Sequence, residues 1–259
     1  MSKITTLSNS TDAAPTVRIV ARTFREMLDR TLFAAGRDPA RPYLSTVLIE
    51  TQPPCALRLV ASDGYRLAVV ERDCEAVDLP PGLVIPRKPL ADLHERLVGG
   101  RSDAQMTLAL TDRGLDVRTT DGTSIIVLPV LRDVTFPYHE AIPKPHGITA
   151  EVPCEEFLDA LYRLYPKHSP TVRLHFDHGR LDVVPDANPQ ASALPIRYDA
   201  RPLTIAFDTR HLTDVLRLHA AYDIISIGIT DDASPVVIRG SRDPRFTYVL
   251  MPVLEKLEL

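Results

Sequence analysis

The segment IIVLPVL at 125–131 returns as YVLMPVL at 248–254, with Pro129 and Pro252 standing 123 positions apart. A second pair of segments keeps almost the same interval. In each, an apolar run passes straight into an amphipathic helix, GLVIP–RKPLADLHERLV at 82–98 and LTIAF–DTRHLTDVLRLH at 203–219, and the helix starts Arg87 and Asp208 are 121 positions apart. Two registers this close imply a folding unit written twice, since self-similarity at a long period marks repeated supersecondary structure.

Local patterning supports the same division. Each half opens on a strand-like run, VRIVA (17–21) and ITAEV (148–152), followed by an amphipathic helix. The helix over 22–35 turns Phe24, Met27, Leu28 and Leu32 inward, and the helix over 153–165 does so with Phe157, Leu158, Leu161 and Leu164. Alternating strands come next, YLSTVLIET and LRLVAS in the first half and TVRLHF and RLDVV in the second. After the strand-to-helix segment, for which Asp208 is a good N-cap in the second half, three further strands close each unit. The expectation is an α+β chain of two tandem units, 16–136 and 148–259, each with two helices packed on antiparallel sheet. A polar tail at 1–15 is expected to be disordered. The linker over 137–147, rich in proline, is expected to be extended and stiff.

Between the first two paired strands lies LVASDGYRLAVV (59–70), two apolar runs around a polar bend. Asp63-Gly64 suits a hairpin turn that needs positive φ. Tyr65, Arg66 and Leu67 follow at once, placing a ring, a fixed cation and an apolar side chain beside one bend. Those are the components of a small pocket for an apolar peptide, with Arg66 able to hold a carbonyl or carboxylate.

Composition limits the alternatives. The net charge of −4 gives no global basic field, so any contact with nucleic acid must come from local patches. Three scattered cysteines, Cys55, Cys74 and Cys154, lack metal-binding spacing and fit idle thiols in a reducing cytoplasm. There is no membrane-spanning run or secretory signal pattern, which points to a cytoplasmic protein. No catalytic constellation, metal site, cofactor site or glycine-rich phosphate loop is present in the sequence, so a non-enzymatic role is expected.

Four motifs in order resemble the bacterial DNA polymerase III β subunit, the sliding clamp. They are Ala61-Ser62-Asp63-Gly64-Tyr65-Arg66-Leu67-Ala68, Val84-Ile85-Pro86-Arg87-Lys88, Phe136-Pro137-Tyr138 with Ile142-Pro143, and Tyr248-Val249-Leu250-Met251-Pro252. The resemblance covers the middle and last of the three domains usual in that family, so the chain reads as a shortened member without the first. It implies a replication processivity factor that encircles duplex DNA without reading sequence, tethers a polymerase or repair protein, and is loaded by a separate clamp loader. Two units per chain would close a six-unit ring as a homotrimer. The alternative is a peptide-binding adaptor or competitor that does not encircle DNA.

The resemblance also implies sites. Partners of the family insert a short apolar motif, and the matching positions here are Leu44, Ser62, Gly64, Tyr65, Arg66, Leu67, Pro143, Val249, Met251 and Pro252. Their chemistry suits the role: Leu44, Leu67, Val249 and Met251 form an apolar floor in which methionine adapts to several partners. For DNA, helices of the fold face a central hole, giving Arg22, Arg25, Arg87, Lys88 and Arg210 as candidates, with Arg37, Arg41 and Tyr43 after the first helix and Lys167 after the third. The charges of the four helical segments cancel, so the lining is not strongly basic.

Overall fold

A computed structural model of the chain describes residues 15–38, 40–77, 79–99, 103–132, 134, 136–144, 147–164, 170–186 and 191–254. The first half runs β1 (Thr16–Val20), α1 (Ala21–Asp29), β2 (Thr46–Gln52), β3 (Ala56–Ser62), β4 (Arg66–Asp73), β5 (Glu75–Val77), β6 (Leu83–Pro86), α2 (Arg87–Val98), β7 (Gln105–Thr111), β8 (Gly114–Thr119) and β9 (Ser124–Leu128). The second repeats that order without the short fifth strand: β10 (Ile148–Pro153), α3 (Cys154–Leu164), β11 (Thr171–Asp177), β12 (Arg180–Pro185), β13 (Ser192–Pro195), β14 (Leu203–Asp208), α4 (Thr209–Leu216), β15 (Ile224–Ile229), β16 (Val236–Gly240) and β17 (Asp243–Leu250). The tails 1–14 and 255–259 lie outside the described residues.

Duplication is visible in the pairing as well as in the order. The sheet β5-β1-β7-β8-β9 is matched by β10-β15-β16-β17, and β4-β3-β2-β6 is matched by β13-β12-β11-β14. In each half the two helices pack on each other and against strands of both layers. The period of burial explains why these segments take these forms. Val172, Leu174 and Phe176 alternate inward along β11, while Phe24, Met27 and Leu28 of α1 and Leu90, Leu93 and Leu97 of α2 recur at helical spacing. Asp208 caps α4, its carboxylate accepting the backbone N–H groups of Arg210 and His211.

Two local expectations are corrected. The first helix ends at Asp29 rather than near residue 35. Beyond it the chain tightens into turns, with Thr31 N–H on the Leu28 carbonyl and Ala34 N–H on the Thr31 carbonyl. Those turns keep Leu32, Ala34 and Ala35 in the core and turn Phe33 onto Tyr248 of the other half, ring centroids 5.8 Å apart. The linker is not simply extended, because Tyr138–Ala141 forms a 3₁₀ turn. Tyr138 is buried there, donating its hydroxyl to Glu50 at 2.8 Å and accepting from Arg58 at 2.9 Å. This buried anchor outweighs the stiffness of the flanking prolines.

What joins the halves is a strand pair. β17 lies antiparallel to β4, from Phe246 opposite Val70 to Leu250 opposite Arg66, and fuses the two layers into one eight-stranded sheet, β10-β15-β16-β17-β4-β3-β2-β6. Ion pairs stitch the same line: Arg66–Asp214 (2.8 Å), Arg30–Asp243 (2.9 Å), and Arg245 to both Asp73 (2.7 Å) and Glu71 (3.0 Å).

At Gly114 close packing and backbone conformation both require glycine. Gly114 has φ +132°, and a Cβ there would overlap the Leu128 carbonyl on β9. Both strain and clash act at one position, so Gly114→Ala should lower stability by about 3 kcal/mol, read as a shifted urea midpoint at unchanged slope. A change below about 0.5 kcal/mol would show that β9 yields freely at that edge.

Candidate functional site at the seam

The bend of the β3–β4 hairpin is built by its own polar side chains. Gly64 sits at φ +92°, a region that Cβ-bearing residues rarely enter. Asp63 Oδ1 accepts the N–H groups of Tyr65 (3.0 Å) and Arg66 (3.1 Å). The Ser62 hydroxyl donates to the Arg66 carbonyl at 2.7 Å and accepts Gly64 N–H at 3.0 Å. Ser62 and Asp63 therefore shape the turn.

The closing strand comes directly alongside. Leu67 pairs with Val249, and Met251 N–H donates to the Tyr65 carbonyl at 2.9 Å. Next to this junction is a cavity of about 160 Å³ whose walls include Leu44, Ser62 and Leu67. Its floor is an apolar cluster in which Leu67 and Val249 pack with Leu48, Val60, Val69 and Tyr138. Gly64 lies against Leu44, so that a Cβ there would be 3.5 Å from Leu44 Cδ1. Tyr65 and Met251 stay exposed beside the junction, at 58% and 40%. Pro252 is buried and Pro143 half-buried, and neither lines the cavity, nor do Gly64, Tyr65, Arg66, Val249 and Met251.

The sequence reading missed the third wall, which comes from Phe136, Pro137, Tyr138 and Ala141, with Tyr43 at the side. Two aromatic residues at the start of the interdomain segment, Phe136 and Tyr138, are the available signal. Tyr43, one of the DNA candidates in the sequence, lines this cavity.

Arg66 has a different role from the one expected. Its side chain is only 11% exposed, and its guanidinium donates to Asp63 Oδ2 (2.9 Å), Asp214 Oδ2 (2.8 Å) and the Phe33 carbonyl (2.7 Å) while lying 5.2 Å from the Phe33 ring. Burial alone would lower its pKa, but Tyr248, Asp214 and Asp63 together raise it. A guanidinium engaged in three directions inside the seam is a bolt between the halves and leaves little capacity for a ligand.

Family models identify both halves of this arrangement. The central domain of the DNA polymerase III beta subunit matches residues 18–137, and the C-terminal domain of the same subunit matches 139–254. The chain belongs to the DNA polymerase III beta subunit family. The beta sliding clamp of Caulobacter vibrioides is 29% identical over 239 residues, covering 88% of this chain and 62% of its own length. That of Synechococcus elongatus is 30% identical over 248 residues, covering 92% and 65%. The chain thus spans somewhat under two thirds of these curated relatives. A sliding clamp of Bartonella birtlesii, solved bound to griselimycin, superposes with a TM-score of 0.83 at 26% identity, over 96% of this chain and 69% of that one.

Within this beta-subunit frame the basic candidates differ in availability. Arg22 is exposed and paired with Glu26, Lys88 is 85% exposed and paired with Asp92, and Arg210 is 73% exposed on α4. Arg37 and Arg41 are exposed before the hairpin, and Arg25 is half-buried. Arg87 donates to the Leu32 carbonyl at 3.2 Å, and burial, then the charge of Arg37, lowers its pKa. Lys167 lies outside the described residues. Tyr162 and Arg217 were missed: with Arg210 they line a cavity of about 330 Å³ across α3 and α4, the Arg217 Nε donating to the Tyr162 hydroxyl at 2.6 Å. Nothing in the linear pattern paired those two positions, which are 55 residues apart.

Proposed function

We propose that the protein is a non-enzymatic processivity clamp of the cytoplasm, a ring around duplex DNA that holds replication or repair proteins through the apolar cavity at its seam. The observation that carries this reading is the β17–β4 strand pair, because duplication supplies the same two edges again. β9 occupies in the first half the place of β17, and β13 occupies in the second half the place of β4. On the outer side of each there is no strand partner among the described residues, and Ile125, Ile126 and Val127 of β9 are only half-buried. An apolar edge with open backbone groups calls for a partner strand. Setting β9 of one chain beside β13 of the next repeats the internal contact head to tail, and a heterologous contact closes when its rotation fits the ring.

Six units make such a ring from three chains, so sedimentation in solution should give the mass of a homotrimer. The ring, put on by a loader protein, should stay on circular DNA and slip from the same DNA once linearised, because retention is topological. A stable monomer, or equal retention on both forms, would overturn the ring. The mixed charge of the helices favours a second reading, an adaptor that keeps the peptide cavity without encircling DNA; peptide capture by a monomer is its distinguishing result.

A further inference from the structure

At the far end of the seam from the hairpin, a cavity of about 480 Å³ opens between the end of α1, the end of β4, the loop after α4 and the start of β17. It is walled by four arginines, Arg30, Arg72, Arg242 and Arg245, against two carboxylates, Asp223 and Asp243. Their pairing is uneven. Arg245 is held by Glu71 and Asp73, while Arg30 and Arg72 share the single carboxylate of Asp243, at 2.9 and 2.5 Å. Arg242 makes no ion pair among the described residues; it lies 4.2 Å from the centroid of Tyr222, a ring 70% exposed at the same cavity. Asp223 is engaged by Ser241, by the N–H of Arg242 and by His219. Glu71 and Asp73 bring the carboxylates to four and balance the arginines, yet Arg242 stands outside these ion pairs, and its guanidinium at the rim is a group that binds oxyanions in planar, directed fashion.

His219 adds a second, independent observation. Its side chain is 2% exposed, its Nδ1 lies 3.2 Å from Asp223 Oδ2, and its Nε2 has no partner among the described residues. With Nδ1–H given to the carboxylate, Nε2 is left as an acceptor in need of a donor. A buried ring nitrogen without a partner in the wall of a charged cavity is what a bound hydroxyl or amino group would satisfy.

We propose that this cavity binds a nucleotide unit: phosphate on Arg242 with Arg30 and Arg72, the base against Tyr222, and a ligand hydroxyl or amino group on His219 Nε2. The source is a free nucleotide or the backbone of single-stranded nucleic acid, and the chemistry is common to both. An exposed aromatic ring beside an unpaired guanidinium is a sequence-tolerant platform for a base and its phosphate.

The test is titration of the full chain with deoxyadenosine monophosphate and, separately, with an eight-residue oligothymidylate, following the His219 ring resonances and the dissociation constant. Both Arg242→Ala and Tyr222→Ala lie on the exposed rim, so an unchanged melting temperature separates binding from folding. Each should weaken binding about tenfold or more, and Arg180→Ala, on β12 away from the cavity, should leave it unchanged. Binding of the mononucleotide assigns the cavity to free nucleotides; binding of the oligonucleotide alone assigns it to a strand. Failure of both probes to perturb His219, or undiminished binding in both Arg242→Ala and Tyr222→Ala, overturns the proposal.

Discussion

Arg66→Ala should loosen the seam itself, lowering stability by roughly 3 kcal/mol, because it leaves partly buried carboxylates without their cation. The wild-type guanidinium satisfies Asp63, Asp214 and the Phe33 carbonyl at once, so its removal affects the hairpin, the turn after α1 and helix α4 together. Arg66→Lys should recover only part of the loss: it keeps a charge but cannot present a planar fork to three acceptors. Urea denaturation measures both. A local reporter sits nearby in His211, whose carbonyl accepts the Tyr248 hydroxyl at 3.1 Å. Burial, then the positive charge of Arg66, lowers the His211 pKa. Deleting the charge removes one of the two depressing causes, so His211 should hold its proton to higher pH in the alanine variant, visible by NMR titration. A stability change under about 0.5 kcal/mol together with an unmoved His211 would show that the bolt carries no load.

The contrast between that residue and the fold around it explains what a sequence discloses. Duplication was legible because it leaves paired registers along the chain, at Pro129 and Pro252 and at the two strand-to-helix junctions. The cap at Asp208 and the bend at Asp63-Gly64 were legible because their chemistry is completed within three residues. Arg66 misled because its decisive partners, Phe33 and Asp214, lie 33 and 148 positions away. Seen with its neighbours in sequence, a cation beside a bend resembles a hook for a ligand; folded, it is surrounded. The same applies to Tyr138, whose environment is set by Glu50 and Arg58 on β2 and β3, 88 and 80 positions away. The early end of α1 also belongs to tertiary structure, since the inward spacing of Leu32 persists in turns that need no helix.

For the cavity itself, Met251→Ala and Leu44→Ala should each weaken capture of a short apolar peptide from a replicative polymerase about tenfold, at nearly constant stability. The reason lies in burial. Leu44 is half-buried at the cavity wall and Met251 is 40% exposed at the neighbouring strand junction, so truncation removes contact surface without opening a void in the core. Losing roughly 1.4 kcal/mol of apolar contact with the bound peptide corresponds to that factor. Val249 makes the opposite case. At 4% exposure beneath the junction it supports the cavity from within, so Val249→Ala should cost about 2 kcal/mol of stability and weaken binding only through that disturbance. Calorimetric titration of the peptide beside thermal denaturation of each variant separates the two effects. If Met251→Ala and Leu44→Ala both keep full affinity, the cavity at the hairpin is packing space within the seam, and any partner peptide is held elsewhere.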